Sequence, residues 1–194
     1  MFYKRKWIIL LISGILLVLW GFFTYDINQR FPNPENIGVK QGETVDYKGI
    51  KLTAGEIEIY DGQELLKHYP EVENVDDYVD DEELEYKNRN KDCYFIIHVS
   101  MENVTDNVWE AGKEGLVTWT LEAGNHAQGV GLEDFLCINP DSRSTLEPGE
   151  KQDLKYIYRM PEEWMTVEEA GKVDKKVIYS YYPSKNYLYY PGED

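Results

Sequence analysis

Two periodicities divide this chain. From Trp7 to Phe23 the run WIILLISGILLVLWGFF carries no charged residue, and as a helix its seventeen residues would rise roughly 25 Å, at the short end of a bilayer core. Beyond residue 43 apolar side chains recur at every second position instead, which is the period of strands with one buried face. TVDYKGIKLTAGEIEIYD alternates around a turn at Lys48-Gly49, and a bulge near Ala54-Gly55 keeps its phase. DCYFIIHVSMEN sets Phe95, Ile97, Val99 and Met101 on one face against Tyr94, Ile96, His98 and Ser100 on the other. GLVTWTLEA and the short apolar EDFLCIN read as two further strands, with Trp119 of the first predicted as a central packing residue.

DLKYIYRMP follows a Glu147-Pro148-Gly149-Glu150 turn and alternates Leu154, Tyr156, Tyr158 and Met160 against Lys155, Ile157 and Arg159. KKVIYSYYP and KNYLYYP form a tyrosine-rich hairpin around Pro183-Ser184. Helical signals are short: GQELLKHY and EEWMTVEEAGK. Seven or eight short antiparallel strands separated by turn chemistry predict a two-sheet sandwich, with one wet face per sheet. Between anchor and sandwich, residues 26–42, with Pro32 and Pro34, read as an extended linker.

Charge then fixes the setting. The chain has 36 Asp and Glu against 20 Lys and Arg, and no acid precedes Asp26, whereas Lys4, Arg5 and Lys6 stand directly before the apolar run. Basic residues stay on the cytoplasmic side, so residues 1–6 are a cytoplasmic stub, 7–25 a transmembrane helix, and the remainder extracellular. The run's exit, Trp20-Gly21-Phe22-Phe23, has no small-residue cleavage site, which favours a retained anchor over a cleaved signal. The strongly acidic remainder repels phosphate backbones and excludes nucleic-acid binding. Outside the cytoplasm a Cys93–Cys137 disulfide is permitted and would close a loop of about 45 residues; two buried free thiols are the alternative.

These strands carry a family resemblance. The alternating strand closing on Glu102-Asn103-Val104-Thr105-Asp106, the later Leu146-Glu147-Pro148-Gly149-Glu150, and the strand ending at Met160-Pro161 resemble telokin-like, immunoglobulin-type extracellular domains. Such domains occur on anchored surface proteins of Gram-positive bacteria. The resemblance spans residues 43–190. It implies an all-β, immunoglobulin-like antiparallel sandwich over residues 43–194 behind one N-terminal transmembrane helix, in a bacterial envelope. It carries over no catalytic residue. Residues 61–92 are an acidic insertion relative to that pattern.

Within the insertion, nine of the fifteen residues of EVENVDDYVDDEELE are acids. Asp76, Asp77, Asp80, Asp81 and Glu82 are the candidate ligands for a hard cation such as Ca²⁺, although no glycine falls where an EF-hand loop requires it. A solvated, self-repelling loop is the plainer reading of such a charge block. Tyr181, Tyr182, Tyr187 and Tyr189 are candidate contacts for a protein or cell-wall partner, because tyrosine joins an apolar face to a polar tip; strand composition explains part of the set. His68, His98 and His126 form no recognisable signature, and His98 reads as a half-exposed strand residue. There is no H-E-x-x-H, G-x-S-x-G or S-x-x-K motif and no glycine-rich phosphate loop, so a non-catalytic interaction module without cofactor is expected. A surface cation or small-ligand binder is the alternative.

Overall fold

The computed structural model describes residues 2–31, 35–72, 91–111, 119–181 and 184–193, with the side chains of all but residues 2–5, 8 and 9. The chain divides into two units, Met1–Glu35 and Asn36–Asp194.

The first unit is one helix, α1, Phe2–Arg30. It is apolar all round, and Leu11, Leu17, Val18, Trp20 and Phe22 all lie exposed along it. Leu10–Arg30 is long and apolar enough to cross a membrane. The helix runs five residues past the expected end at Tyr25. No breaker precedes Pro32, and an Asp26–Arg30 ion pair of 3.0 Å with a Gln29–Tyr25 hydrogen bond of 3.1 Å supports its last turn.

The second unit begins earlier than the pattern of residue 43 suggests. β1, Asn36–Lys40, lies in the expected linker but pairs in parallel with the last strand, β11, Lys185–Tyr190, and buries Val39. β2, Thr44–Tyr47, and β3, Ile50–Asp61, form a hairpin over Lys48-Gly49. Both turn residues take positive φ (49° and 83°), which matches a two-residue turn to the twist of its strands. β3 carries a register shift between Ala54 and Ile57, as the alternation predicts. α2, Gly62–His68, follows, capped by the Asp61 carboxylate accepting from the Glu64 N–H at 2.8 Å.

β4, Cys93–Asn103, is the central strand of a sheet ordered β2-β3-β4-β9, where β9 is Lys151–Met160. Two short strands, β5 (Trp109–Glu110) and β8 (Thr145–Leu146), pair with each other. β6, Thr120–Ala123, β7, His126–Gly129, and β10, Lys175–Ser180, complete a five-stranded sheet ordered β1-β11-β10-β6-β7. α4, Val167–Lys172, carries a capping box between Thr166 and Glu169.

Phe95, Ile97, Val99 and Met101 of β4 and Leu154, Tyr156, Tyr158 and Met160 of β9 share one core with Leu121, Val177, Leu188 and Tyr190 of the other sheet. Trp119 lies within it, 1% exposed and stacked on Tyr156 at 4.5 Å between ring centroids. The architecture is a β-sandwich.

Two expectations are corrected. EDFLCIN is not a strand but a helix, α3, Leu132–Ile138. Its acids Glu133 and Asp134 lie in the first turn, where the helix dipole favours them, and Phe135 and Ile138 fall three residues apart. The outer face of the four-stranded sheet is also not wet. Tyr94, Ile96 and Ile157 are buried there with Leu65 of α2 and Ile138 of α3 in a second apolar cluster. That covered face positions the site described next.

Candidate functional site

The outer face of β3 and β4 holds a cluster that the sequence did not assemble. Register places Glu58 beside Ile96, and the bulge after Ala54 brings Glu56 and Glu58 alongside His98. The close approach needs Gly55. A Cβ there would lie 2.6 Å from the His98 carbonyl oxygen and 2.8 Å from its Cβ, contacts no ordinary side chain tolerates. His98 Nε2 is 2.6 Å from Glu58 Oε1. The donor atoms of Glu56, Glu58 and His98 all fall within 4.8 Å of one another. Glu56 is exposed; Glu58 and His98 are half-buried, with side-chain exposures of 23% and 27%.

Two tyrosines fix the carboxylate. Tyr60 Oη donates to Glu58 Oε2 at 2.7 Å, and Tyr69 Oη, arriving from the end of α2, donates to both oxygens at 3.0 and 3.2 Å. His68 stacks on the Tyr60 ring at 4.8 Å, and Lys155 Nζ sits 4.7 Å over the Tyr69 ring. Burial alone would raise the pKa of Glu58. The hydrogen bonds from Tyr60, His98 and Tyr69 outweigh it and hold the carboxyl below its ordinary value. The same bond pushes the Tyr60 hydroxyl up to about 12, and burial followed by the Glu58 contact raises Tyr69 further. Glu58 is therefore a fixed anion, and both phenols remain protonated donors at neutral pH.

Among the described residues, the tyrosines singled out from sequence do not join this cluster. Asp76, Asp77, Asp80, Asp81 and Glu82 lie outside the described residues, as does Tyr182. Tyr181 is 53% exposed. Tyr187 is half-buried, with its ring against Gly38 and Lys176 Nζ 5.5 Å above it. The Tyr189 hydroxyl bonds the Asp174 carboxylate, which raises its pKa. Tyr187 and Tyr189 thus lie half-exposed, alternating along β11 with the buried Leu188 and Tyr190.

The disulfide left open by the sequence is absent, since Cys93 and Cys137 are both free thiols. Cys93 is fully buried in the inter-sheet core, whereas Cys137 lies half-exposed on α3. Sequence reasoning placed His98 correctly on the outer face but missed its partners. The available signal was the Glu56-x-Glu58-x-Tyr60 alternation beside a predicted bulge.

No family model matches the sequence, and no curated protein is similar to it. Among solved structures, an uncharacterised β-sandwich protein from Clostridium difficile 630 superposes with a TM-score of 0.47 at 14% identity, over 81% of this chain and 95% of that one. A conserved hypothetical protein from Bacillus anthracis gives 0.47 at 12% identity, over 72% and 88%. The yjhA protein from Bacillus subtilis gives 0.43 at 14% identity, over 76% and 85%.

Proposed function

We propose that this protein is a membrane-anchored, non-catalytic interaction module of a Gram-positive cell envelope, with an immunoglobulin-like domain held outside the membrane by α1. The observation that carries the anchor is the exposed apolar girdle of α1. Such side chains on every face of an isolated helix find a favourable environment only in lipid or against another protein. Lys4, Arg5 and Lys6 before it favour a cytoplasmic N-terminus. The strand order supports the immunoglobulin-like assignment. β3-β4-β9 correspond to strands A, B and E, and β11-β10-β6-β7 to G, F, C and C′.

An interaction role fits a compact domain whose charge is strongly negative and whose tether concentrates it at the membrane. The acidic run at residues 71–85 and exposed Tyr181 are the contacts proposed for a cationic protein or wall partner. Protease added to intact cells tests the topology. Release of the Asn36–Asp194 unit is the expected result, and protection until lysis would reverse the orientation. Deleting residues 71–85 should abolish partner capture while thermal unfolding stays cooperative.

A further inference from the structure

We propose that Glu56, Glu58 and His98 form a binding site for one divalent transition-metal ion of the Zn²⁺ class, with Tyr60 and Tyr69 as the outer groups that orient Glu58. The site lies on the described sheet face and draws no ligand from the acidic run at residues 71–85.

Geometry comes first. Three donor atoms within 4.8 Å of one another need only close slightly around an ion, because ligands about 2.1 Å from a tetrahedral metal stand roughly 3.4 Å apart. Glu56 and His98 can supply that movement. Glu56 is exposed, and the 2.6 Å His98–Glu58 contact opens by a fraction of an ångström to admit the ion. The exposed Glu56 side also gives the entry path, and three protein ligands leave a fourth position for water or a further ligand.

Charge comes second. Among the described residues Glu56 has no ion-pair partner, and the bulge holds it against a second carboxylate. Two carboxylates beside one imidazole concentrate negative charge on this part of the face. A dication neutralises it completely.

The surroundings match a metal site. Ligating carboxylates are ordinarily held by hydrogen bonds from groups that do not touch the metal. Here Tyr60 donates to Oε2 of Glu58 and Tyr69 reaches both oxygens, Oε2 at 3.0 Å and Oε1 at 3.2 Å, while Oε1 is also the oxygen turned to His98. The donor set also selects the metal. Ca²⁺ takes six to eight oxygens and Mg²⁺ an octahedral oxygen shell, while an imidazole among few ligands favours Zn²⁺ and its first-row neighbours.

The full-length chain in detergent, stripped with chelator, is titrated with Co²⁺ and then Zn²⁺. Co²⁺ in a four-coordinate, histidine-containing site absorbs visible light far more strongly than Co²⁺ on solvated carboxylates, so the acidic run does not mimic the signal. One strongly absorbing Co²⁺ per chain, displaced by stoichiometric Zn²⁺, is expected. Glu56→Gln, an exposed isosteric change that spares the fold, should weaken binding by at least about tenfold, Tyr69→Phe by about tenfold, and His98→Asn should abolish the absorbing species. If the wild-type chain gives only the weak spectrum of solvated Co²⁺, or if Glu56→Gln and His98→Asn bind as the wild type does, Glu58 and His98 are a plain ion pair and the proposal fails.

Discussion

The carboxamide nitrogen of Asn103 donates a 2.8 Å hydrogen bond to the carbonyl of Leu146, 43 residues further along the chain. A second 2.8 Å bond reaches the carbonyl of Asn107, and Oδ1 accepts from the Thr105 N–H at 3.0 Å and its hydroxyl at 2.8 Å. The backbone joins in, because the Asn103 N–H donates to Glu150 and its carbonyl accepts from Gly149. Gly149 takes a φ of 75°, the glycine conformation of the turn it closes with Pro148. The Asn-bearing turn and the Pro-Gly turn, two separate landmarks in sequence, are therefore one hydrogen-bonded corner.

Asn103 is fully buried with every polar atom of its amide engaged, so Asn103→Ala takes the side-chain donor from the buried Leu146 carbonyl and the acceptor from the Thr105 N–H, while the Asn107 carbonyl keeps the Thr105 hydroxyl. A loss of about 3 kcal/mol is expected in urea unfolding. Asn103→Asp should cost more, since it turns an acceptor toward each of those carbonyls. The same burial closes the Asn103-Val104-Thr105 triplet to any glycan in the folded state.

Much of this corner could be read from residue order alone, and so could the hairpin at Lys48-Gly49, the bulge after Ala54 and the central place of Trp119. Each is set by local chemistry: a turn residue, a change of phase, an aromatic in an alternating run. What could not be read depends on contacts between distant segments. EDFLCIN is as apolar as a strand and becomes a helix because Phe135 and Ile138 meet two different clusters. The Glu56–Glu58–His98 cluster needs strand register across a pairing that spans 40 residues, and the sequence prints no register.

The parallel pairing of β1 makes a prediction about boundaries. A chain starting at Asn36 should unfold cooperatively. One starting at Glu43 loses the partner of β11 and the burial of Val39, and should be less stable by at least about 2 kcal/mol. Equal denaturant midpoints for the two chains would show that β1 contributes nothing to the sandwich.

The two thiols should differ sharply in reactivity. Burial pushes Cys93 from an ordinary 9.0 up to about 12, so almost no thiolate forms near neutrality and no reagent reaches it. Cys137 is half-exposed and also raised, by burial and then by Asp134 and Glu133. With a colorimetric disulfide reagent at pH 8, one thiol should titrate in the native chain and the second only after denaturant is added. Two equivalents reacting at once would contradict the buried position of Cys93.

The core tyrosines give the last prediction. Tyr156, Tyr158 and Tyr190 are each about 1% exposed or less, and their hydroxyls have no hydrogen-bond partner among the described residues. A hydroxyl desolvated without compensation costs free energy, so Tyr158→Phe should leave stability unchanged or raise it by about 1 kcal/mol. Burial also raises the pKa of all three above the ordinary 10.0, so the native state keeps these protons at pH values where the unfolded chain releases them. A group raised on folding contributes its full share of stability below pH 10. That share is lost as pH climbs toward the folded-state value, by about 1.4 kcal/mol per pH unit for each group. Stability should therefore fall steeply above pH 10, and Tyr158→Phe should flatten the fall by the share of one group. Denaturant midpoints measured from pH 8 to pH 11.5 on both chains decide it: parallel curves would mean that Tyr158 ionises as readily in the folded core as in the unfolded chain.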